Sequence, residues 1–322
     1  MMFNKERVLI AGKGRMAYSM AVCLLQAGHP VILYTGDPVS AWEQILLHLA
    51  DLRKWTGSNV VPDALQLAEA WPYGAALQLA IGITGENVEE KQQCIAGLEQ
   101  CVHQDGIITI NTESIPLSSL QEGTRYPARI LGANWAEPVH TTYFLELIAN
   151  GQCDSRYIDR FYELAKVNWK KDPYIIAGDT GIRARLISAM TREAFYLVEN
   201  GYASVEDIDR ACRNDAGYYL PFAGNYRYMD LMGTYAYGVV MKELNRELAK
   251  EQEVPVFFKE IIAAQGEGMV NGKGFYKYTP AQAARWEMLF RRFSYQIKAI
   301  IERYPFNYKQ EKQQIDTKVK SL

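Results

Sequence analysis

Residues 7–17 of the chain read RVLIAGKGRMA. The first five residues form a short apolar run that ends at Gly12, and such a run is typical of a buried parallel strand. Apolar residues then recur at helical spacing from Met16 to Gln26 and stop at Gly28. A second strand-like run follows over residues 30–34. The stretch therefore predicts a βαβ unit at the start of a parallel sheet.

The turn of this unit carries the pattern Gly12-x-Gly14-x-x-Ala17 between the strand and the helix. The first glycine permits a tight turn, the second lets the backbone approach a pyrophosphate, and the small third residue allows the helix to pack closely on the sheet. Phosphate oxygens would lie at the positive end of the helix. A glycine turn without a ligand is the alternative, but the βαβ context favours dinucleotide binding.

The end of the second strand indicates which dinucleotide is bound. An acidic residue at this point usually contacts the ribose 2′-hydroxyl of NAD. Here the strand ends in Tyr34-Thr35-Gly36-Asp37, with Thr35 at the expected position and Asp37 two residues beyond it. No arginine follows that would accept a 2′-phosphate, so NAD is favoured over NADP. The alternative for Asp37 is an ordinary turn residue before Pro38.

The rest of the chain predicts two domains, as its 322 residues suggest at roughly 150 residues per domain. Further strand-like runs lie at residues 77–83, 106–111, 128–133, 143–149 and 174–177. After Gly178 the pattern becomes helical, and Ser204 can cap a helix with Asp207 three residues on. We therefore expect an α/β fold, a Rossmann-type doubly wound and mostly parallel sheet over residues 1–178. A smaller all-α domain should follow over residues 179–304, and a polar tail over residues 305–322.

Composition restricts the partners of the protein. Thirty-five Lys and Arg residues against 37 Asp and Glu give a net charge of -2, so neither nucleic acid nor an anionic membrane is indicated. The five cysteines are scattered without a CxxC pair, which fits neither a disulfide framework nor a metal site. No signal peptide or membrane-spanning run is readable. A cytoplasmic protein with a small-molecule substrate is therefore expected.

Later motifs follow a recognisable order. They are Glu86-Asn87 with Lys91, Asn111-Thr112-Glu113-Ser114, Gly132-Ala-Asn134-Trp-Ala-Glu137-Pro138-Val139 with Glu146, Asp230-Leu-Met-Gly233 and Gly272-Lys-Gly274-Phe275-Tyr276. Together with the glycine-rich turn, they resemble the 3-hydroxyacyl-CoA dehydrogenase family over residues 5–280. The resemblance rests on the shared order and spacing, because each motif alone is loose.

The resemblance implies a homodimeric NAD-dependent oxidoreductase of fatty acid metabolism. Hydride would pass reversibly between NAD and the hydroxyl-bearing carbon of a 3-hydroxy acid derivative, with substrate in a cleft between the domains and the dimer formed by the helical domain. Glu86 and Lys91 match positions beside the nicotinamide ribose. Asn111, Asn134 and Glu146 match cofactor, substrate and catalytic positions. A tyrosine-rich stretch, residues 218–237, suits interface packing or the substrate cleft.

The catalytic centre departs from the family pattern. The family uses a histidine oriented by a carboxylate, and the carboxylate position is kept as Glu146, but the histidine position is Asn134. A carboxamide does not take up a proton at physiological pH. His140, two residues past Pro138, is a candidate for a relocated base, and a polar loop residue is its alternative interpretation.

Two further departures introduce carboxylates. The first serine of the family's Asn-Thr-Ser-Ser run is Glu113, and the asparagine before the proline is Glu137. If both face the nicotinamide pocket with Glu146, burial and repulsion should raise at least one pKa toward the range useful for proton transfer. In the alternative, they turn to solvent or pair with Arg183 or Arg185.

The substrate is also in question, because residues 41–75 contain only Arg53 and Lys54 as bases where the family has a lysine-rich helical pair that contacts CoA. The sequence thus predicts an NAD-dependent oxidoreductase with an altered active site. A catalytically impaired dinucleotide-binding protein, acting as a sensor or binding module, is the alternative.

Overall fold

The computed structural model describes residues 5–304, so the predicted polar tail, residues 305–322, lies outside the described residues. The chain forms two compact units, one that reaches to Leu186 and one that starts at Ile187. The first is α/β and the second is helical. The division after residue 178 that the sequence suggested stays a prediction.

Within residues 5–304, eight strands form one sheet in the order β3-β2-β1-β4-β5-β6-β7-β8. Their bounds are β1 Val8–Gly12, β2 Val31–Tyr34, β3 Leu65–Ala68, β4 Leu77–Ile83, β5 Val102–Ile110, β6 Ile130–Trp135, β7 Phe144–Ala149 and β8 Asp172–Ala177. All neighbouring strands are parallel except β6 and β7. The predicted Rossmann-type, mostly parallel sheet is confirmed.

Helices follow the strands of the first unit as the βαβ pattern requires. They are α1 Arg15–Gln26, α2 Pro38–Thr56, α3 Val88–Cys101, α4 Leu117–Gln121 and α5 Ser155–Val167. Residues Ala17 to Leu25 of α1 are all buried, and β1 is buried along its first four residues. This apolar layer between strand and helix fixes the glycine-rich turn at the carboxyl edge of the sheet.

Gly12 is required by the approach of β4 to that turn. A Cβ atom at this position would lie 2.3 Å from the carbonyl oxygen of Ile83, the last residue of β4. Backbone atoms cannot move aside as a flexible side chain can, so even alanine would separate the two strand ends. The glycine therefore keeps the carboxyl ends of β1 and β4 close together.

Two features of the sheet were not predicted from the sequence. Strand β3 carries the sequence LQLA at the sheet edge, and none of its residues is fully buried, so it lacks the apolar run that marked the other strands. Strand β7 is antiparallel to β6 because only residues 136–143 separate them. A parallel crossover needs about a dozen residues or more.

The second unit consists of helices. The first of them, α6, begins a few residues before the unit does. The bounds are α6 Arg183–Glu199, α7 Val205–Asn214, α8 Ala216–Met232, α9 Thr234–Leu244, α10 Val256–Ala263 and α11 Pro280–Arg303. The predicted cap is confirmed, since the Ser204 hydroxyl accepts a hydrogen bond from the backbone N–H of Asp207 and the Asp207 carboxylate accepts one in return. No helix among the described residues is long and apolar enough to cross a membrane.

Candidate functional site

A cleft of about 650 Å³ opens at the carboxyl ends of β1, β2 and β4. In open α/β sheets this edge is where ligands bind, because helix N-termini and strand-end loops converge there. The lining includes Gly12 and Arg15 from the glycine-rich turn, Thr35 and Gly36 after β2, and Asn111 after β5. The predicted cofactor residues from three separate motifs are thus brought to one place.

The glycine-rich turn fits the pyrophosphate of a dinucleotide. The N-cap of α1 is Gly14, which has no side chain, and the first turn of this fully described helix has neither a side-chain cap nor an acidic residue. The backbone N–H groups at this end therefore remain available to an anion. Ala17 is completely buried against the sheet, as the small third residue of the motif should be.

The end of β2 places the two candidates for ribose recognition differently. Thr35 is buried, and its hydroxyl accepts a hydrogen bond of 3.3 Å from the backbone N–H of Asp37. The Asp37 carboxylate accepts one of 3.0 Å from the backbone N–H of Ser40 and so caps helix α2. This is the turn role that the sequence left open for Asp37.

Lys91 of α3 is fully buried beneath the cleft. Its Nζ donates hydrogen bonds to the carbonyl oxygen of Asn111 at 2.6 Å and to the hydroxyl of Thr84 at 3.3 Å. The Asn111 side chain in turn bonds both the N–H and the carbonyl of Thr84, at 3.0 and 2.9 Å. Burial lowers the pKa of Lys91, opposed by the nearby Glu86 and Glu113. Lys91 therefore ties the ends of β4 and β5 together.

Glu86 fixes the loop that follows β5. Its carboxylate accepts a hydrogen bond of 2.9 Å from the backbone N–H of Ser114 and a short one from the Ser114 hydroxyl. The Asn-Thr-Glu-Ser loop is thus held by Lys91 at one end and by Glu86 at the other.

Asn134 lies in β6 and is completely buried. Its Oδ1 accepts hydrogen bonds from the backbone N–H groups of Thr112 at 2.8 Å and Glu113 at 3.0 Å. Its Nδ2 donates to Glu146 Oε2 at 3.0 Å. These partners assign the amide orientation, because the oxygen faces donors and the nitrogen faces a carboxylate. The carboxamide therefore orients both the loop and Glu146.

Glu146, directly opposite Asn134 in β7, is also completely buried. Its Oε1 accepts hydrogen bonds from the Tyr174 hydroxyl at 3.1 Å and from the backbone N–H groups of Ile182 and Arg183 at 2.8 and 3.1 Å. With the bond from Asn134, the carboxylate has four donors. Burial and the neighbouring Glu146 raise the pKa of Tyr174. Glu146 therefore links β6, β8 and the start of α6, and both of its carboxylate oxygens accept hydrogen bonds.

Glu113 differs from Glu146 in exposure and conformation. Its backbone has φ +49°, which is unusual for a residue other than glycine and recurs at functional sites. Its side chain is 24% exposed, and its Oε2 accepts a hydrogen bond of 2.9 Å from Arg183 Nη1. Burial raises the pKa of Glu113, while Arg183 opposes the shift and Glu86 adds to it. Glu113 thus combines a raised pKa with the pairing to Arg183 that the sequence offered as the alternative.

Glu137 follows β6 and lines the cleft. Its Oε1 accepts a hydrogen bond of 2.5 Å from Arg15 Nε in the first turn of α1. Its partner is therefore beside the glycine-rich turn, whereas Glu113 is paired with Arg183.

His140 lies in a short 3-10 turn, Val139–Thr141, and only 7% of its surface is exposed. Its ring packs edge-to-face on His48 of α2, with ring centroids 4.9 Å apart. His140 thus lies in the connection between β6 and β7, and this connection is buried. A role for His140 as a relocated base stays a prediction.

Two contacts of the site gave no signal in the sequence. Tyr174 reaches Glu146 only because β8 pairs with β7 in a register that places these two residues opposite each other. Trp71, on the loop after β3, lines the cleft although β3 itself was not foreseen. Among residues 5–304, no group of three His, Cys, Asp or Glu side chains could hold a metal ion.

Comparison with known families agrees with this geometry. Residues 7–180 match the family described as 3-hydroxyacyl-CoA dehydrogenase, NAD binding domain, and residues 182–278 match 3-hydroxyacyl-CoA dehydrogenase, C-terminal domain.

Individual relatives resemble the chain at lower identity. A 5-formyl-3-hydroxy-2-methylpyridine 4-carboxylate 5-dehydrogenase of Mesorhizobium japonicum is 26% identical over 308 residues, covering 92% of this chain and 98% of the relative. The peroxisomal fatty acid beta-oxidation multifunctional protein MFP2 of Arabidopsis thaliana is 25% identical over 92% of this chain, which spans 41% of that relative. A solved structure of an NAD+ dependent dismutase, 5-formyl-3-hydroxy-2-methylpyridine 4-carboxylic acid 5-dehydrogenase, shares the fold with a TM-score of 0.85 at 24% identity, covering 92% of this chain and 98% of that one.

The two interpretations of Asp37 predict different effects of substitution. If Asp37 only caps α2, Asp37→Ala should lower the free energy of unfolding by about 1 kcal/mol and leave the Kd for NAD unchanged. Asp37→Asn should then behave as wild type, because asparagine is an equally good cap. Denaturant unfolding and calorimetric titration measure the two effects. A weaker affinity for NAD in both variants would instead assign Asp37 to the ribose.

Proposed function

Because the chain belongs to the 3-hydroxyacyl-CoA dehydrogenase family, we propose that it transfers hydride between NAD and a 3-hydroxy or 3-keto acid derivative at an altered catalytic centre. NAD supplies the hydride acceptor or donor when bound. Glu113, in place of a histidine at position 134, exchanges the proton of the substrate hydroxyl. The roles of Asn134, Glu146 and Arg183 follow from their hydrogen bonds.

The observation that carries this proposal is the position and ionisation of Glu113. Its backbone N–H donates to Asn134, at the position that the family gives to its histidine. Its carboxylate is partly exposed and has a raised pKa. Asn134 and Glu146, by contrast, are both buried and bonded to each other. Glu113 is therefore the partly exposed carboxylate next to the family's catalytic position, and we assign it the acid–base role.

The proton balance of the reaction is simple. In alcohol oxidation, the hydride leaves the carbon while the O–H bond breaks and the proton passes to the Glu113 carboxylate. In ketone reduction, protonated Glu113 returns that proton to the oxygen. Arg183 stabilises the ionised form at 2.9 Å, and burial stabilises the neutral form. The two effects oppose each other, and the net result is a raised pKa for Glu113.

Asn134 and Glu146 act as positioning residues in this mechanism. The Asn134 carboxamide accepts the N–H groups of Thr112 and Glu113 and so holds the Glu113 backbone in its left-handed conformation. Glu146 orients that carboxamide and binds the N–H groups of Ile182 and Arg183. The same carboxylate thereby positions both the proposed acid–base residue and its arginine partner.

The substrate we propose is a small acid derivative without a CoA group. Residues 41–75 contain Arg53 and Lys54 as their only arginine and lysine, and CoA carries several phosphate charges. The relative from Mesorhizobium japonicum is named for a pyridine carboxylate, a substrate class that contains no thioester. A reductase screen over 3-keto thioesters, free keto acids and imines tests this class directly.

A second candidate function is a dinucleotide-binding protein without hydride transfer. It is favoured by the saturated Asn134–Glu146 pair, which offers no proton acceptor at the family's catalytic position. Tight NAD binding in calorimetry with no turnover across the screen would support this sensor or binding module. Turnover of any one substrate class would exclude it.

We also propose that the protein is a homodimer formed by its helical unit. Several large apolar side chains of α8 and α9 are widely exposed in the single chain, among them Tyr218, Tyr226, Leu231 and Tyr235. Large exposed apolar and aromatic side chains are enriched at subunit interfaces. The tyrosine-rich stretch would then serve packing between subunits.

A reducing cytoplasm is the compartment we propose, since all five cysteines are free.

The role of Glu113 is tested by Glu113→Gln, which keeps shape and hydrogen bonding but removes the ionisable group. We expect kcat to fall by at least about 100-fold, the usual contribution of general acid–base catalysis, with an unchanged Kd for NAD. Glu122→Gln makes the same change on an exposed carboxylate of the same unit and should retain full activity.

The substitution His140→Ala tests the competing hypothesis that His140, and not Glu113, is the acid–base residue. Loss of turnover in His140→Ala with normal activity in Glu113→Gln would transfer the acid–base role to His140. The melting temperature of each variant must accompany the rates, since His140 is buried against His48.

The pH dependence provides a third test. Oxidation requires ionised Glu113, so kcat/KM should rise with pH through the pKa of that group. Because burial raises this pKa, the rise should occur at higher pH than for an ordinary glutamate. We expect this shifted rise in the wild type and its absence in Glu113→Gln. A wild-type profile that shows no rise above the pH range of an ordinary glutamate contradicts carboxylate catalysis.

The dimer is tested by Tyr235→Asp, which places a charge on a residue that is 86% exposed in the single chain. We expect light scattering to show a dimer for the wild type and a monomer for the variant, because an interface core rejects an unpaired charge. Val39→Asp, on an equally apolar but separate exposed position of α2, should remain dimeric. A monomeric wild type would refute the proposal.

A further inference from the structure

Two aromatic side chains lie together on one wall of the dinucleotide cleft. Tyr34 is the last residue of β2, and Trp71 lies on the loop that leaves β3. Their ring centroids are 4.1 Å apart, with the ring planes inclined by 30°. Both residues line the cleft. We call this pair, Tyr34 and Trp71, the aromatic wall.

The position of the aromatic wall in the sheet indicates which part of the dinucleotide it meets. The order of strands around the glycine-rich turn is β3-β2-β1 on one side and β4-β5-β6 on the other. Asn134 and Glu113, which form the proposed reaction site, belong to the β5–β6 side. With the pyrophosphate at Gly12 between the two sides, the aromatic wall faces the half of the dinucleotide that does not react, which is the adenosine.

Trp71 is held in place by helix α3. An ideal Cβ atom at Gly97 would lie 2.5–2.8 Å from three atoms of the Trp71 ring, so only glycine admits the ring at this distance. Tyr34 and Trp71 both pack against the buried cluster formed by the sheet and α3. The wall is therefore a preformed and rigid surface, which a flat ligand can contact without an ordering cost in the side chains.

We propose that the aromatic wall is the adenine-binding platform of this protein, with Tyr34 and Trp71 contacting the base and Gly97 positioning Trp71. An adenine ring has a π-face that stacks on aromatic side chains, and such stacking contributes strongly to binding. Stacking on the aromatic wall contributes adenosine affinity that does not depend on the role of Asp37, whose carboxylate caps α2. The proposal concerns NAD binding and is independent of the acid–base role of Glu113.

Calorimetric titration of the full chain with ADP-ribose tests the platform, because this probe contains adenine and pyrophosphate but no nicotinamide. Tyr34→Ala and Trp71→Ala should each raise the Kd for ADP-ribose, and equally that for NAD, by about tenfold. Gly97→Ala, which keeps both rings but displaces Trp71, should weaken binding in the same direction. Tyr73→Ala removes a neighbouring ring that does not line the cleft and should leave both affinities unchanged.

A spectroscopic readout distinguishes contact with adenine from a purely structural role. Stacked adenine should quench Trp71 fluorescence, so ADP-ribose should quench the wild type and quench Trp71→Phe much less, although Trp71→Phe keeps most of the affinity. Wild-type affinity for ADP-ribose in both alanine variants, at unchanged melting temperature, would overturn the proposal. Equal quenching in wild type and Trp71→Phe would overturn the assignment of Trp71. An equal loss in Tyr73→Ala would also contradict a specific platform.

Discussion

The hydrogen bond between Asn134 and Glu146 is the interaction on which the rest of the site depends. It joins two completely buried side chains across the antiparallel pair β6–β7. A buried carboxylate is tolerated only where donors surround it, and the Asn134 amide, the Tyr174 hydroxyl and two backbone N–H groups meet this demand. Through the bonds from Glu146 to the N–H groups of Ile182 and Arg183, the β6–β7 pair also holds the start of α6.

Buried hydrogen bonds also hold the loops on the cofactor side of the site. Lys91 is fully buried and donates to the carbonyl of Asn111, while Glu86 binds the other end of the loop after β5. That loop presents Glu113, whose backbone N–H is in turn bound by Asn134. A single polar network thus connects the end of β4, the end of β5 and the middle of β6. Networks that are fully satisfied in this way make a site rigid.

Much of this arrangement could be predicted from the sequence, and the limits have physical reasons. The glycine-rich turn and the buried strands were foreseen because their signals are local, in residue type and spacing. Strand β3 was not, since an edge strand with half-exposed residues carries no apolar run. Likewise, the sequence placed Glu113 and Arg183 among several alternatives, because an ion pair between residues 70 positions apart depends on tertiary register. The burial of His140 was not predictable for the same reason, since it depends on packing against His48 of α2.

The contact between Gly97 and the Trp71 ring couples the two positions. Each of the two residues limits the other: a tryptophan at position 71 needs a residue without Cβ at position 97, whereas a glycine at 97 accepts any smaller residue at 71. A glycine in the middle of a helix is disfavoured on its own. The effects of substitutions at the two positions are therefore not additive. A residue with a Cβ atom at position 97 requires a smaller residue than tryptophan at position 71.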